Sequence, residues 1–329
     1  MKEILVKTLG KVYNLLKSNT YFNSLYYSVA NSNYFTSFLE HEKMLADKSR
    51  MDTYHEAITR YVNKDDIVID LGTGTGILSF FAAKKSPRKI YAIDHGKIIE
   101  SAKKIAVHNK ISNIEFVNAN SRSFSIKEKA DIIIHEQIGA LLFDEHMIEN
   151  ILDLRDRLLK KGGKILPGKY EVFLAPVKLK DNSQVPYIWE QEMYGVNYDC
   201  FDDLKTNIDA QYGILKVRPE TIDYFLGEPV KFLSFDMEKM KAEDIPKDIK
   251  INTTINRAGR CDGFCFYFNI IFDDNIILST DPINSSTHWN IPIFRCPTMN
   301  YEKNKHVSFS LSWKNPSEVN SYKWEVLNR

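Results

Sequence analysis

The run Ile67-Val68-Ile69-Asp70-Leu71-Gly72-Thr73-Gly74-Thr75-Gly76-Ile77-Leu78 constrains the fold of this chain most. A short β-branched strand runs into a turn with a glycine at every second position, and a helix opens from it through Ala83. Without Cβ atoms the glycines let backbone amides come close to a ligand at a helix N-terminus. The spacing G-x-G-x-G departs from the dinucleotide pattern G-x-G-x-x-G because position 77 is Ile, which disfavours a pyrophosphate. Asp94 closes the next apolar run, where a strand-end carboxylate accepts ribose hydroxyls. A glycine turn or a strand-end acid alone is as well explained by an ordinary turn and a solvated carboxylate. Strand, turn, helix and acid in series point to a bound ligand.

Further apolar runs follow at Lys89 to Asp94, Ile114 to Asn118, Ala130 to Ile134 and Tyr170 to Ala175, with helical stretches between them. This alternation is the βαβ rhythm of a parallel sheet covered by helices. After Leu166-Pro167-Gly168 come short runs rich in Phe, Tyr and Ile, among them Phe264 to Phe272 and His306 to Trp313, which predict an antiparallel barrel or sandwich. A chain of 329 residues exceeds the usual single-core size, so the expected organisation is an N-terminal helical segment over 1–50 that serves as a lid, a Rossmann-like α/β domain over 51–168 and an antiparallel β-barrel over 169–329. The first residues, Met1 to Ser28, carry Leu and Ile near helical spacing interrupted by lysines, which predicts an amphipathic helix and no signal peptide. With 44 basic against 43 acidic residues, no global field draws the chain to nucleic acid or a membrane. Its four cysteines match no zinc-ligand spacing, and no stretch reaches the roughly 20 apolar residues needed to span a bilayer. The expectation is a soluble cytoplasmic protein with reduced thiols and no metal.

The run His135-Glu136-Gln137-Ile138-Gly139-Ala140-Leu141-Leu142-Phe143-Asp144-Glu145 sets two glutamates around one glycine just beyond a strand of the α/β domain. Paired carboxylates there suggest a clamp for a cation, with Leu141-Leu142-Phe143 packing the loop onto the sheet. The plainer alternative makes Glu136 a surface charge and Glu145 a residue favoured by a helix N-terminus. A zinc motif H-E-x-x-H would need a second histidine where Gly139 stands.

With these residues in view, Asp70 to Leu78 together with Asp94 resembles the cofactor-binding motifs of class I S-adenosylmethionine-dependent methyltransferases. Glu136 and Glu145, then Thr287-His288-Trp289, then Tyr34-Phe35 with His41-Glu42-Lys43-Met44-Leu45, are similar to the protein arginine methyltransferase family in that family's order. The resemblance implies S-adenosylmethionine as cofactor, held by His41, Arg50, Asp70, Gly72, Gly74, Gly76, Asp94, Asn120, Ser121 and Glu136. It implies catalysis by Glu136 and Glu145, with His288 paired to Asp47 to take the proton shed. It places Tyr34, Met44, Glu136, Glu145, Met147, His288 and Trp289 around the substrate. Trp289 is read either as a pocket wall packed on a guanidinium or as core. A guanidinium presents planar N–H forks that carboxylates bind bidentately, so two glutamates can fix its plane and leave one nitrogen free to attack.

Three positions depart from the family pattern. Phe38 stands where a tyrosine hydroxyl is expected, Asn120-Ser121 where an acid meets the adenine amine, and Gln137 where a tryptophan is common. The activities left open are methylation of arginine in a protein or peptide, methylation of a small guanidino compound or other metabolite, and a noncatalytic cofactor-binding scaffold. The resemblance also implies a dimerisation arm, over 201–229, where Leu204, Ile208, Ile214, Leu215, Ile222, Phe225 and Leu226 stand among charged residues; they suit either a helical hairpin that closes a homodimer or an internal connection of the barrel.

Overall fold

The computed structural model describes residues 38–184, 192–198, 200, 213–285, 287–297 and 299–327. Ile67–Leu71 (β1), Lys89–Asp94 (β2), Ile114–Asn118 (β3), Ala130–His135 (β4) and Leu159–Leu166 (β5) form one parallel sheet in the order β3-β2-β1-β4-β5. The central strand is buried along its whole length, as a strand covered on both faces requires, and its β-branched residues suit that place. Strand order reverses between β1 and β4, which opens a crevice beyond their carboxyl ends. The register sets Leu71 opposite His135 and Ile93 opposite Leu71. Gly72, Glu136 and Asp94, which follow or end those strands, therefore emerge side by side at the crevice.

The Met147–Leu158 helix buries Met147, Ile148, Ile151, Leu152, Leu154 and Leu158, a 3.6-period stripe against the sheet. Upstream, Phe38–Ala46 and Lys48–Tyr61 are consecutive helices joined at Asp47, which caps the second by accepting a hydrogen bond from the Arg50 amide at 3.0 Å. The amphipathic helix expected over Met1 to Ser28 and the lid residues Tyr34 and Phe35 lie outside the described residues.

Lys169–Leu179 (β6) begins a second, antiparallel unit. It pairs with Gly263–Ile271, Val230–Asp236 and Ile222–Phe225, and the sheet continues through Ile291–Phe294 to Ile214–Val217. A three-stranded sheet of Asp248–Thr254, His306–Ser312 and Lys323–Val326 curls against it, as a half-barrel. Phe264 stacks on Phe309 at 4.3 Å in the core, with Phe266, Phe268 and Phe294 fully buried around them.

Two expectations need correction. Tyr170 to Ala175 is no member of the βαβ series: it runs antiparallel to Gly263–Ile271 in the half-barrel, and the fifth parallel strand is Leu159–Leu166, whose lysines and glycines hid it. A short apolar run cannot reveal which sheet it joins. The helical-hairpin reading of the arm also gives way, where the segment is described, to the barrel connection: Ile214–Val217 and Ile222–Phe225 are strands of the half-barrel sheet, so Ile214, Leu215, Ile222 and Phe225 are used within this chain. Leu204 and Ile208 lie outside the described residues.

Candidate active site

Local chemistry builds the glycine turn. Gly72, Gly74 and Gly76 all have positive φ, and at Gly76 a Cβ would meet the Phe80 ring at 2.7 Å. Asp70 is fully buried under the turn, where one carboxylate oxygen accepts from Thr73 Oγ1 at 2.7 Å and Ser79 Oγ at 2.6 Å while the other has no partner. Burial pushes Asp70 up to about 6 despite those hydroxyls. Asp94 accepts from the Gly74 amide at 2.9 Å and the Gly96 amide at 2.7 Å, one per carboxylate oxygen. Each oxygen keeps a second lone pair, so the carboxylate still has accepting capacity at the crevice.

Two side chains lie on this turn from elsewhere. The imidazole of His41 is so close to Gly74 that a Cβ there would meet it at 2.9 Å, and Gln137 packs on Gly72 in the same way at 3.2 Å. Asn120 accepts from the Arg122 amide at 3.0 Å and caps a short turn, and the buried Ser121 gives its carbonyl to Arg157 at 3.0 Å. Both positions hold the edge of the crevice through backbone geometry.

The two-glutamate loop is tied down by distant groups. Trp289, 5 % exposed, donates its indole N–H to the Ile138 carbonyl at 2.7 Å and packs edge-on against Phe268. That contact ties the loop to the half-barrel. His288 stacks against Trp289 at 4.2 Å and meets Asp47 through Nδ1 at 2.7 Å, while its amide donates to the same carboxylate at 2.8 Å. Burial raises the Asp47 carboxyl, but the hydrogen bonds from His288 and Arg50 outweigh it and hold the group below its ordinary range.

Arg50 donates from Nη2 to Glu136 Oε2 at 2.6 Å and from Nη1 to the Met44 carbonyl at 2.8 Å, nearly excluded from solvent, and its Nε has no partner. Sequence reading set Arg50 on a cofactor carboxylate; here it meets one of the two glutamates. Part of Glu145 meets solvent, yet burial of its carboxyl, reinforced by the nearby charges of Asp144 and Glu136, pushes it up to about 8. Met147 is fully buried directly after the loop, and Met44 is half-buried at the end of the first helix. Tyr54 is a residue the sequence did not signal: fully buried, it donates to the His135 carbonyl at 3.0 Å and so pins the end of β4 to the Lys48–Tyr61 helix.

Comparison with known proteins matches this architecture on both halves. Residues 169–326 match the arginine methyltransferase oligomerization subdomain, and residues 54–167 match a ribosomal protein L11 methyltransferase model. The chain is 30% identical to protein arginine N-methyltransferase 6 of Danio rerio over 269 residues, 78% of this chain and 76% of that protein. It is 30% identical to protein arginine N-methyltransferase 1 of Chlamydomonas reinhardtii over 292 residues, 85% and 83% of the two chains. Among solved structures, a Trypanosoma brucei arginine methyltransferase 1 enzyme–prozyme heterotetramer with AdoHcy superposes with a TM-score of 0.77 at 24% identity, over 90% of this chain and 95% of that one. Arabidopsis thaliana protein arginine methyltransferase 10, solved in an open conformation, gives 0.72 at 23% identity, over 90% and 98%.

Proposed function

The chain belongs to the protein arginine methyltransferase family, and from that premise we propose that it methylates a guanidinium nitrogen of arginine in a protein or peptide, with S-adenosylmethionine as methyl donor. The observation that carries the reading is the emergence of Glu136 beside Gly72 and Asp94 at the strand reversal, with Glu145 on the same loop.

The donor fits the crevice. The glycine turn is a cradle that a Cβ would fill, the Asp94 carboxylate stands at its edge, and Asn120 and Ser121 shape the rim. Gly72, Gly74, Gly76 and Asp94 would hold the donor, with His41 and Arg50 closing over it from the N-terminal helices. When bound, it supplies an electrophilic methyl on a sulfonium.

What the chain does with the acceptor follows from its carboxylates. Arg50 already binds Glu136 through one oxygen, which shows a guanidinium seated on this carboxylate. Glu136 Oε1 and the Glu145 carboxylate would take two edges of the substrate guanidinium and draw its positive charge toward the nitrogens they touch. The third nitrogen keeps its lone pair and is aimed at the methyl, so orientation supplies much of the rate. Glu145 must be ionised to serve, and a cation entering beside it favours that form. His288, backed by the Asp47 carboxylate, is the group we assign to receive the proton released afterwards.

Transfer of labelled methyl to an arginine-rich peptide, with free arginine as the small-molecule control, tests the activity. Glu145→Gln should lose most turnover while cofactor affinity, read by calorimetry, stays near that of the parent. Equal labelling of free arginine and peptide would turn the reading toward a small guanidino substrate; near-parental turnover in Glu145→Gln would remove the clamp. The finer assembly we infer is a homodimer, which the match of the second unit to an oligomerization subdomain supports; light scattering at micromolar concentration that returned about 38 kDa would reject it. The compartment we infer is the reducing cytoplasm, which suits cysteines that form no disulfide.

A further inference from the structure

A third carboxylate stands inside the two-glutamate loop. Asp144 precedes Glu145, its Oδ1 accepts from the Leu141 amide at 3.3 Å, and it fills the space over Gly139 so closely that any side chain there would strike it. From the half-barrel, Lys216 on Ile214–Val217 brings its Nζ to 3.6 Å from Asp144 Oδ2. The strand that carries Lys216 is fixed in register by Ile291–Phe294, so the ammonium reaches the loop from the second unit.

We propose that Asp144 and Lys216 are a positioning pair which sets the ionisation of Glu145 and thereby the pH range in which the loop grips a cation. This rests on the arginine methyltransferase reading for its consequence, though not for its electrostatics. Among the described residues, the charged groups facing the loop are few. Arg50 and Tyr54 come from the Lys48–Tyr61 helix, with the Arg50 charge taken up by Glu136. His146 and Glu149 at the start of the Met147–Leu158 helix face each other at 3.6 Å, and Glu149 also accepts from Ser317. Tyr322 approaches Asp144 from the C-terminal segment with its hydroxyl donated to the Pro316 carbonyl. Burial raises both Asp144 and Glu145; on top of it, Lys216 is the cation among the described residues that acts on both, lowering each, whereas Asp144 and Glu136 raise Glu145 further. An acid beside the clamp and a lysine from the other unit therefore pull Glu145 in opposite directions. Lys216 is half exposed, so solvent screens its pull more than that of the less exposed Asp144.

The pair predicts displacements of opposite sign. Asp144→Asn removes the like charge and should lower the Glu145 midpoint by about one pH unit. Lys216→Met should raise it by about half a unit, and Lys216→Arg should restore it. Carboxyl-detected NMR of glutamate-labelled protein reads the midpoint directly, with the Glu145 signal identified by its loss in Glu145→Gln. The acid limb of the pH–turnover profile on an arginine peptide should move with it. Opposite midpoint shifts in Asp144→Asn and Lys216→Met, with Lys216→Arg like the parent, support the pair even if no arginine substrate is methylated. Midpoints that coincide in parent, Asp144→Asn and Lys216→Met overturn it even if methylation proceeds. Should Asp144→Asn fail to fold, the two Lys216 variants decide alone. Absence of methyl transfer at every pH would instead count against the function proposed for the site.

Discussion

The glycine turn and the two-glutamate loop face each other across one crevice and are built in contrasting ways. The side-chain hydrogen bonds that build the turn come from nearby residues: Asp70 with Thr73 and Ser79, and Asp94 with Gly74 and Gly96. The loop is held from afar: Trp289 on Ile138, Tyr54 on the carbonyl of His135, Arg50 on Glu136, Lys216 on Asp144. A donor common to many acceptors can be bound by a local, self-supporting motif. A loop that must orient a guanidinium within a fraction of an ångström needs rigidity from both units.

The largest expected effect breaks the loop side. Trp289→Ala removes a buried indole and leaves the Ile138 carbonyl without its donor, costing about 3–5 kcal/mol. Chemical denaturation should report that loss, and turnover should fall further than cofactor affinity. A stability within 1 kcal/mol of the parent, to order of magnitude, would show that the loop supports itself as the turn does.

Next comes a contrast between the ends of the two central strands. His135 is fully buried, its Nε2 at 3.0 Å from the Pro167 carbonyl and its Nδ1 without a partner, and burial pushes it down from 6.5 to about 4. A histidine depressed by folding contributes stability above pH 6.5 that is lost as pH falls toward 4, because the unfolded chain takes up the proton first. That loss amounts to about 3 kcal/mol. Asp70, raised to about 6, works the other way: the folded protein takes up its proton first, so acidification from 6 to 3.8 stabilises. The two partly cancel in the parent. In His135→Gln only the Asp70 side remains, so the stability gap between variant and parent should close or reverse by about 3 kcal/mol between pH 6.5 and 4. A gap that stays constant in urea titrations across that window would show that His135 is not buried neutral.

The smallest effect tests the turn. Gly76→Ala forces a left-handed φ on an L residue beside the Phe80 ring, a cost of about 1–2 kcal/mol. Cofactor affinity should suffer more than stability, the reverse of Trp289→Ala. Equal losses in both readouts would erase the distinction between a local and a tertiary half of the site.

The same distinction decides what could be read from the residues in order. The turn, its helix, Asp94 and the alternation of β1 through β4 were legible because each is written in contiguous residues with a period and a punctuation mark. The pairing of Asp47 with His288 followed only from family resemblance, since 241 positions separate them. Tyr54 carried no signal, for a buried tyrosine in an amphipathic helix reads as core. The contact of Arg50 with Glu136 had no signal either, because a helix face does not disclose which carboxylate will fold against it. Tyr170 to Ala175 went to the wrong sheet, and for Ile214 to Phe225 the barrel connection held over the helical hairpin, because short apolar runs fit strand or helix equally and partners tens of residues away choose.

By itself, then, the sequence determined that a glycine cradle follows a buried strand, that an acid ends the next one, and that two glutamates share a loop beyond a third. Those are consequences of backbone freedom and local periodicity. Only the tertiary structure decided that Trp289 donates to Ile138 within the loop, that Arg50 meets Glu136, and that Lys216 meets Asp144 next to Glu145. Burial, charge and hydrogen-bond partnership at those positions are properties of the space between two packed units, and no segment of the chain contains that space.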